Sequence, residues 1–215
     1  VNSTIADKKG PMAEPSPRNG ELKARPSRLI ESALRTLDAE ASGVTALAAA
    51  IHDGLGEAFI AAVERIRSAS GRVIVTGMGK SGHVARKISA TLASTGAPAY
   101  FVHPAEASHG DLGMIRDEDV FIGISNSGES AELVRIVPAI RREGAKLVAI
   151  TGKADSSLAR AADVHLDAGV EQEACPLGLA PTASTTAALA LGDALAIALL
   201  DAHGFSAADF ARSHP

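Results

Sequence analysis

No tryptophan, a single tyrosine (Tyr100) and a single cysteine (Cys175) occur in 215 residues. So few aromatics argue against recognition by stacking. One cysteine excludes a disulfide framework and a Cys-x-x-Cys metal pair, and with no motif partner Cys175, ahead of Pro176, reads as a small buried filler. Neither sign of charge dominates: 21 Lys and Arg against 25 Asp and Glu leave a net charge of −4. Nothing in that balance suggests a nucleic-acid or lipid-surface partner. The longest apolar stretch near the end, 187–200, is interrupted by Asp193 and too short to span a bilayer. No signal-peptide pattern opens the chain, and the expected location is cytoplasmic. What is abundant is apolar content, 46%, enough for one sizeable core.

Residues 1–26 differ from the rest. Pro11, Pro15, Pro17 and Pro26 stand among scattered charges with few large apolar groups, a composition that cannot offset ordering entropy. A flexible tail is expected there, with residues 1–11 reading as an expression remnant. A domain over 27–215 comes next. It opens on a helix with Ser27 as N-cap. Ile30, Leu34, Leu37, Ala41, Val44, Ala48 and Ile51 step by fours and threes. They suit either an amphipathic helix on the chain's own core or one that also packs on another protomer. A second helix is expected over 57–69, ended by Gly71.

The stretch from Arg72 to Gly82, RVIVTGMGKSG, organises the remainder of the chain. Arg72 to Thr76 is β-branched and reads as a buried strand. Gly77, Gly79 and Gly82 come next, then a helix from His83 to Ser94. Strand, glycine loop and helix N-terminus together suit an anion, and Lys80 adds a point charge. The spacing Gly77-x-Gly79-x-x-Gly82 fits the dinucleotide fingerprint. That fingerprint also requires an acid roughly 20 residues on, where His103-Pro104 stands instead. A Walker loop would need glycine at the position of Ile74. A loop for a small phosphate ester and a plain tight turn remain.

Strands are expected at 99–102, 120–125, 146–151 and 164–167, with helical patterns between them, notably 131–142 closed by Gly144. Such alternation argues for a parallel α/β sheet covered on both faces. A long apolar helix, capped by Thr182, runs to His203 and stops at Gly204. Ser206 with Asp209 starts a last short turn. After the third strand comes Ser125-Asn126-Ser127-Gly128-Glu129-Ser130, then a helix. A single N-cap needs one serine; three hydroxyls and a glycine can surround a phosphate without a metal. If the first and third strands are neighbours, the two loops flank the point where strand order reverses, where open α/β sheets bind ligands.

ISNSGES at 124–130 resembles the signature of the sugar isomerase (SIS) domains. GMGKSGH at 77–83, FVHP at 101–104, HGDLG at 109–113, ACPLGLAPT at 174–182 and SHP at 213–215 are together similar to the D-arabinose-5-phosphate isomerases, over roughly 33–215. The resemblance implies a three-layer αβα sandwich around a five-stranded parallel sheet of flavodoxin-like order, and a homotetramer. It implies interconversion of D-ribulose 5-phosphate and D-arabinose 5-phosphate, at the entry to Kdo and lipopolysaccharide synthesis, with no cofactor and no required metal. It places the catalytic positions at Lys80, Glu132, Glu173 and His214. Substrate and phosphate contacts fall on Gly79, Ser81, Ser125, Asn126, Ser127, Ser130, His103, His109 and Thr182, with Ser184 as an alternative to Thr182. Longer members continue past Ser-His-Pro into a pair of CBS domains; this chain stops at Pro215, as a cut domain or a short member would.

An aldose–ketose shift through an enediol needs a base to move a proton between C1 and C2, and an acid or cation to settle charge on the carbonyl oxygen. His214 suits proton transfer because imidazole titrates near neutral pH, with Glu173 as second candidate. Lys80 could polarise the oxygen or help open the ring, and Glu132 could orient Lys80 or a hydroxyl. His103, Glu106 and His109 could form a metal constellation, with His103 and His109 holding an inhibitory ion; a polar turn or substrate contact is the expectation. Two alternatives stand beside the enzyme: a non-catalytic sugar-phosphate-binding module, and an isomerase for another sugar phosphate such as sedoheptulose 7-phosphate.

Overall fold

The computed structural model describes residues 26–213. The chain divides into two compact units, residues 1–35 and 36–215. The first is described only where helix α1 (Pro26–Ala50) begins; the tail expected before it lies outside the described residues. Pro26 is itself helical, so the helix starts ahead of the expected Ser27 cap; proline's fixed φ suits a first turn.

In the second unit, Leu37, Ala41 and Ala48 of the expected seam are exposed, while Gly43 and Leu47 are buried. A Cβ on Gly43 would lie 3.1 Å from Val170 Cγ1, so the small residue sets the inward face. The helix breaks at Asp53 and Gly54, whose φ values are −111° and +132°. Helix α2 (Gly56–Arg67) follows.

Five strands, β1 (Val73–Gly77), β2 (Ala99–Phe101), β3 (Val120–Ile124), β4 (Lys146–Thr151) and β5 (Val164–Asp167), pair in parallel in the order β2-β1-β3-β4-β5. This is the expected flavodoxin-like sheet. β1 and β3 are buried at every position, which explains their unbroken apolar runs. Alternate residues serve opposite faces. Val75, Ile122 and Ile150 join a cluster with Ile88 and Leu92 of α3 (Gly79–Ser94) and Leu191 and Leu195 of α7 (Ala183–His203). Ile74, Phe121 and Leu147 join a second with Leu133, Ile136 and Ile140 of α5 (Ala131–Arg142) and Leu158 of α6 (Ser157–Ala161). Each such side chain, fully buried, contributes roughly 1.5–3 kcal/mol.

The final long helix extends beyond its apolar run. By length and composition alone, α7 and the stretch Ser27–Arg67 could each cross a membrane, which corrects the reading of 187–200 as too short. Nine residues of α7 are nevertheless buried in the protein core. Gly192 lets it press on α3, since a Cβ there would lie 2.2 Å from Ile88 Cδ1. Asp193, which interrupts the run, pairs with Lys87. Two short helices complete the chain, α4 (Pro104–Ser108) and α8 (Ala207–Ser213). Ser206 opens α8, its N–H and hydroxyl both donating to Asp209 Oδ2 (2.9 and 2.6 Å).

Candidate functional site

β1 and β3 are hydrogen-bonded neighbours, with Gly77 in register with Ile124. The helix after β1 covers one face of the sheet and the helix after β3 the other. Their carboxyl ends therefore open at the point where strand order reverses, and the two loops marked by sequence lie side by side there.

The glycine loop is tighter than expected. Met78 is the extended N-cap, and α3 starts at Gly79 (φ +55°) rather than at His83. Gly82 N–H donates to Met78 O (3.2 Å), closing the first turn. A Cβ on Gly77 would lie 2.8 Å from Ser81 O and 3.0 Å from Ile124 O; only glycine allows that approach. Lys80 and Gly79 are exposed and Ser81 half-buried. Among the described residues Lys80 has no ion-pair partner, so its ammonium is free to meet an anion.

The serine loop is held from beneath. Asn126 O accepts Gly152 N–H (2.9 Å), and Gly128 O accepts Leu158 N–H (3.1 Å). Gly128, at φ +65°, sits on Ser156, whose Oγ would be 2.0 Å from a Cβ there. Ser125 is buried; its Oγ accepts Gly128 N–H (3.1 Å) and shares a hydrogen with Ser130 Oγ (2.9 Å). Ser127 Oγ accepts Glu129 N–H (3.2 Å). Ser127 accepts an amide and keeps its hydrogen to donate, and the Ser125–Ser130 pair uses one of its two hydrogens internally and keeps the other, so the loop offers hydroxyl donors, the role an anion needs. Ser130 caps α5 through its backbone position, without a side-chain cap bond. Glu132, in the first turn of α5, is exposed and has no ion-pair partner among the described residues.

Between the loops lies a cavity lined by Ser81 and Asn126, by Thr151 at the end of β4, and by Pro181, Ser184 and Thr185 at the start of α7. Gly79 and His103 border a neighbouring cleft instead, with His83, Arg86 and Phe101. His103 caps α4, its Nδ1 accepting Ala105 N–H (3.3 Å), which leaves Nε2 to carry the ring proton of the neutral form. His109 is exposed at the end of α4. Among the described residues no three His, Cys, Asp or Glu side chains are grouped to hold a metal ion, so His103, Glu106 and His109 do not assemble as a ligand set.

Thr182 does not cap α7 with its side chain. Glu173 does: its Oε2 accepts the N–H groups of Thr182 (2.7 Å) and Ser184 (3.3 Å) and the Thr182 hydroxyl (3.0 Å), and its Oε1 accepts the Ser184 hydroxyl. Thr182 Oγ1 also accepts Ala174 N–H (2.9 Å), and its one hydrogen is committed to Glu173. Burial pushes the Glu173 carboxyl up, but the bonds from Ser184 and Thr182 outweigh it and hold the group below the usual carboxylate range. Cys175 is half-exposed rather than buried. The N–H groups of Ala180, Leu177 and Leu179 surround its sulfur and lower the thiol pKa. His214 lies outside the described residues. Ser156, which braces the serine loop, carried no signal in the sequence, and Glu129 stood in the serine motif without an assigned role, since the contacts that give them one join different βα units.

The chain matches the SIS domain over residues 65–198, more than half its length. It belongs to the SIS domain family. It is 59% identical over 186 residues to the arabinose 5-phosphate isomerase KdsD of Pseudomonas aeruginosa, covering 86% of this chain and 56% of that protein. It is 59% identical over 161 residues to KdsD of Escherichia coli strain K12, covering 75% of this chain and 49% of that one. The chain thus spans about half the length of these relatives. Among solved structures, the arabinose 5-phosphate complex of E. coli CFT073 c3406 superposes with a TM-score of 0.83 at 42% identity, covering 88% of this chain and 99% of that one.

Proposed function

We propose that this SIS chain is an aldose–ketose isomerase that interconverts D-ribulose 5-phosphate and D-arabinose 5-phosphate through an enediol. The observation that carries the proposal is the register of Gly77 with Ile124. It brings a lysine-bearing glycine loop and a hydroxyl-donating serine loop together at the switch point. Similarity to the arabinose 5-phosphate isomerases and to a structure bound to arabinose 5-phosphate supports the choice of substrate.

In this reading Ser125, Ser127 and Ser130, with Ser81, hold the phosphate, and Asn126, Gly79, His103 and His109 line the sugar's approach. Thr182 acts through Glu173 rather than on the phosphate. His214 moves the proton between C1 and C2. Glu173, with its lowered pKa, is a weak base and a better electrostatic partner. Lys80 settles charge on the carbonyl oxygen, and Glu132 orients it. The catalytic unit is the domain from residue 27 to 215. It works without a cofactor or required metal, as a cytoplasmic homotetramer at the entry to Kdo and lipopolysaccharide synthesis.

The test is a steady-state panel of D-arabinose 5-phosphate, D-ribulose 5-phosphate and sedoheptulose 7-phosphate, with Lys80→Ala alongside. The five-carbon pair should interconvert, and Lys80→Ala should lower kcat about 100-fold or more, as loss of one electrostatic stabiliser does. Preference for the seven-carbon sugar, or unaltered turnover in Lys80→Ala, would sink the assignment.

A further inference from the structure

Glu129 has no part in the chemistry above, yet it stands inside the serine loop. A carboxylate there would repel a phosphate if it faced the ligand. It is turned the other way. Its Oε1 accepts the N–H of Ser157, the first residue of α6, at 2.6 Å. Leu158, the next residue, donates its N–H to Gly128 O at 3.1 Å. Two consecutive residues of the loop thus receive two consecutive amides of the α6 first turn. Glu129's own N–H donates to Ser127 Oγ at 3.2 Å. One residue therefore ties a phosphate-facing hydroxyl to a helix in the next βα unit. The Ser157 amide, then its hydroxyl, lower the Glu129 pKa, with smaller help from Arg160 and Lys153, so the carboxylate stays ionised in the acceptor role.

We infer that Glu129 is a positioning residue, a latch to the α6 amides that holds the serine loop in its anion-binding shape before the sugar phosphate arrives. The inference rests on the sugar-phosphate reading of the site. It adds a residue whose contribution is to binding, through the backbone of residues 127–129, and not to the proton transfers.

Three variants separate this from a general loss of structure. Glu129→Ala removes the acceptor. Glu129→Gln keeps an acceptor oxygen and removes the charge. Ser157→Pro removes the donor from the other side; Ser157 is the first helical residue and Ser156 before it is extended at ψ 160°, a setting in which proline is tolerated. With D-arabinose 5-phosphate, Glu129→Ala and Ser157→Pro should each raise KM about tenfold with kcat within about twofold, the pattern of lost uniform binding. Glu129→Gln should stay within about threefold of the parent, and the double variant should be no worse than either single one. An unchanged KM in Glu129→Ala or in Ser157→Pro, a Glu129→Gln as impaired as the alanine, or a fall in kcat at constant KM would overturn the latch. If Glu129→Ala fails to fold, Ser157→Pro decides alone. If the parent protein does not turn over the sugar phosphate, the functional reading fails. Calorimetric titration with inorganic phosphate then reads the latch by itself: about tenfold weaker binding in Glu129→Ala and Ser157→Pro supports it, equal affinity refutes it.

Discussion

Replacing Gly128 by alanine tests how tightly the serine loop is built. Gly128 has φ +65°, which costs an L-residue about 1–2 kcal/mol. The new methyl would stand 2.0 Å from Ser156 Oγ and 2.4 Å from Ser156 Cβ. Neither atom can swing away, because Ser156 Oγ donates to Lys153 O (2.7 Å) and accepts Ala159 N–H (3.3 Å). Overpacking of this kind costs about 1–3 kcal/mol. The two effects sum to about 2–5 kcal/mol, a large part of the 5–15 kcal/mol that holds a typical domain together. Denaturant unfolding at fixed protein concentration reads the loss. Ser156→Gly serves as the partner: it removes the clashing atoms and, at an N-cap, costs only a few tenths of a kcal/mol. The double variant should recover the steric part and leave the backbone part, a coupling of about 1–3 kcal/mol. A Gly128→Ala protein within about 0.5 kcal/mol of the parent, or a double variant no better than the single one, would refute the packing described for this loop.

Three further outcomes are expected from the same geometry. Gly192→Ala should destabilise by about 1–3 kcal/mol through overpacking against Ile88, and Ile88→Val should restore part of it in a thermal melt. Glu173 has a folded pKa below its unfolded value, so its contribution to stability is present above the unfolded carboxylate pKa and fades as pH falls through the folded one. Glu173→Gln should therefore be less stable than the parent at neutral pH, with a gap that narrows on acidification; a pH-independent gap would contradict this. Cys175, its thiol pKa lowered by surrounding amides, should be alkylated by iodoacetamide with a rate that inflects at lower pH than a free cysteine, and mass spectrometry against pH checks it.

Some elements were legible to the residue. α5, β4 and β5 match their expected spans, because β-branched runs end at clear turn residues and Gly144 closes the helix. The adjacency of β1 and β3 was a condition in the reading of the residues, and only the flavodoxin-like order implied by the SIS resemblance pointed to it. The rest depended on contacts distant in sequence. α3 begins at Gly79 because Gly77 packs on Ile124 O, a partner in another strand. Thr182 yielded its cap role to Glu173, which precedes it by nine residues, a pairing that needs the folded loop. α4 is five residues long, too short for any periodicity to show. The seam expected along α1 stays largely exposed on this chain, so of the two readings it does not serve the chain's own core; the inward face is set by Gly43, which has no side chain of its own and lets that helix approach Val170.

The most direct test is a proton NMR time course with D-arabinose 5-phosphate in deuterated buffer containing EDTA. Appearance of D-ribulose 5-phosphate, with deuterium entering beside the carbonyl, is the expected result and would establish a metal-independent enediol isomerase in this chain. A substrate that broadens on binding yet never converts or exchanges would contradict the assignment and leave a sugar-phosphate-binding module.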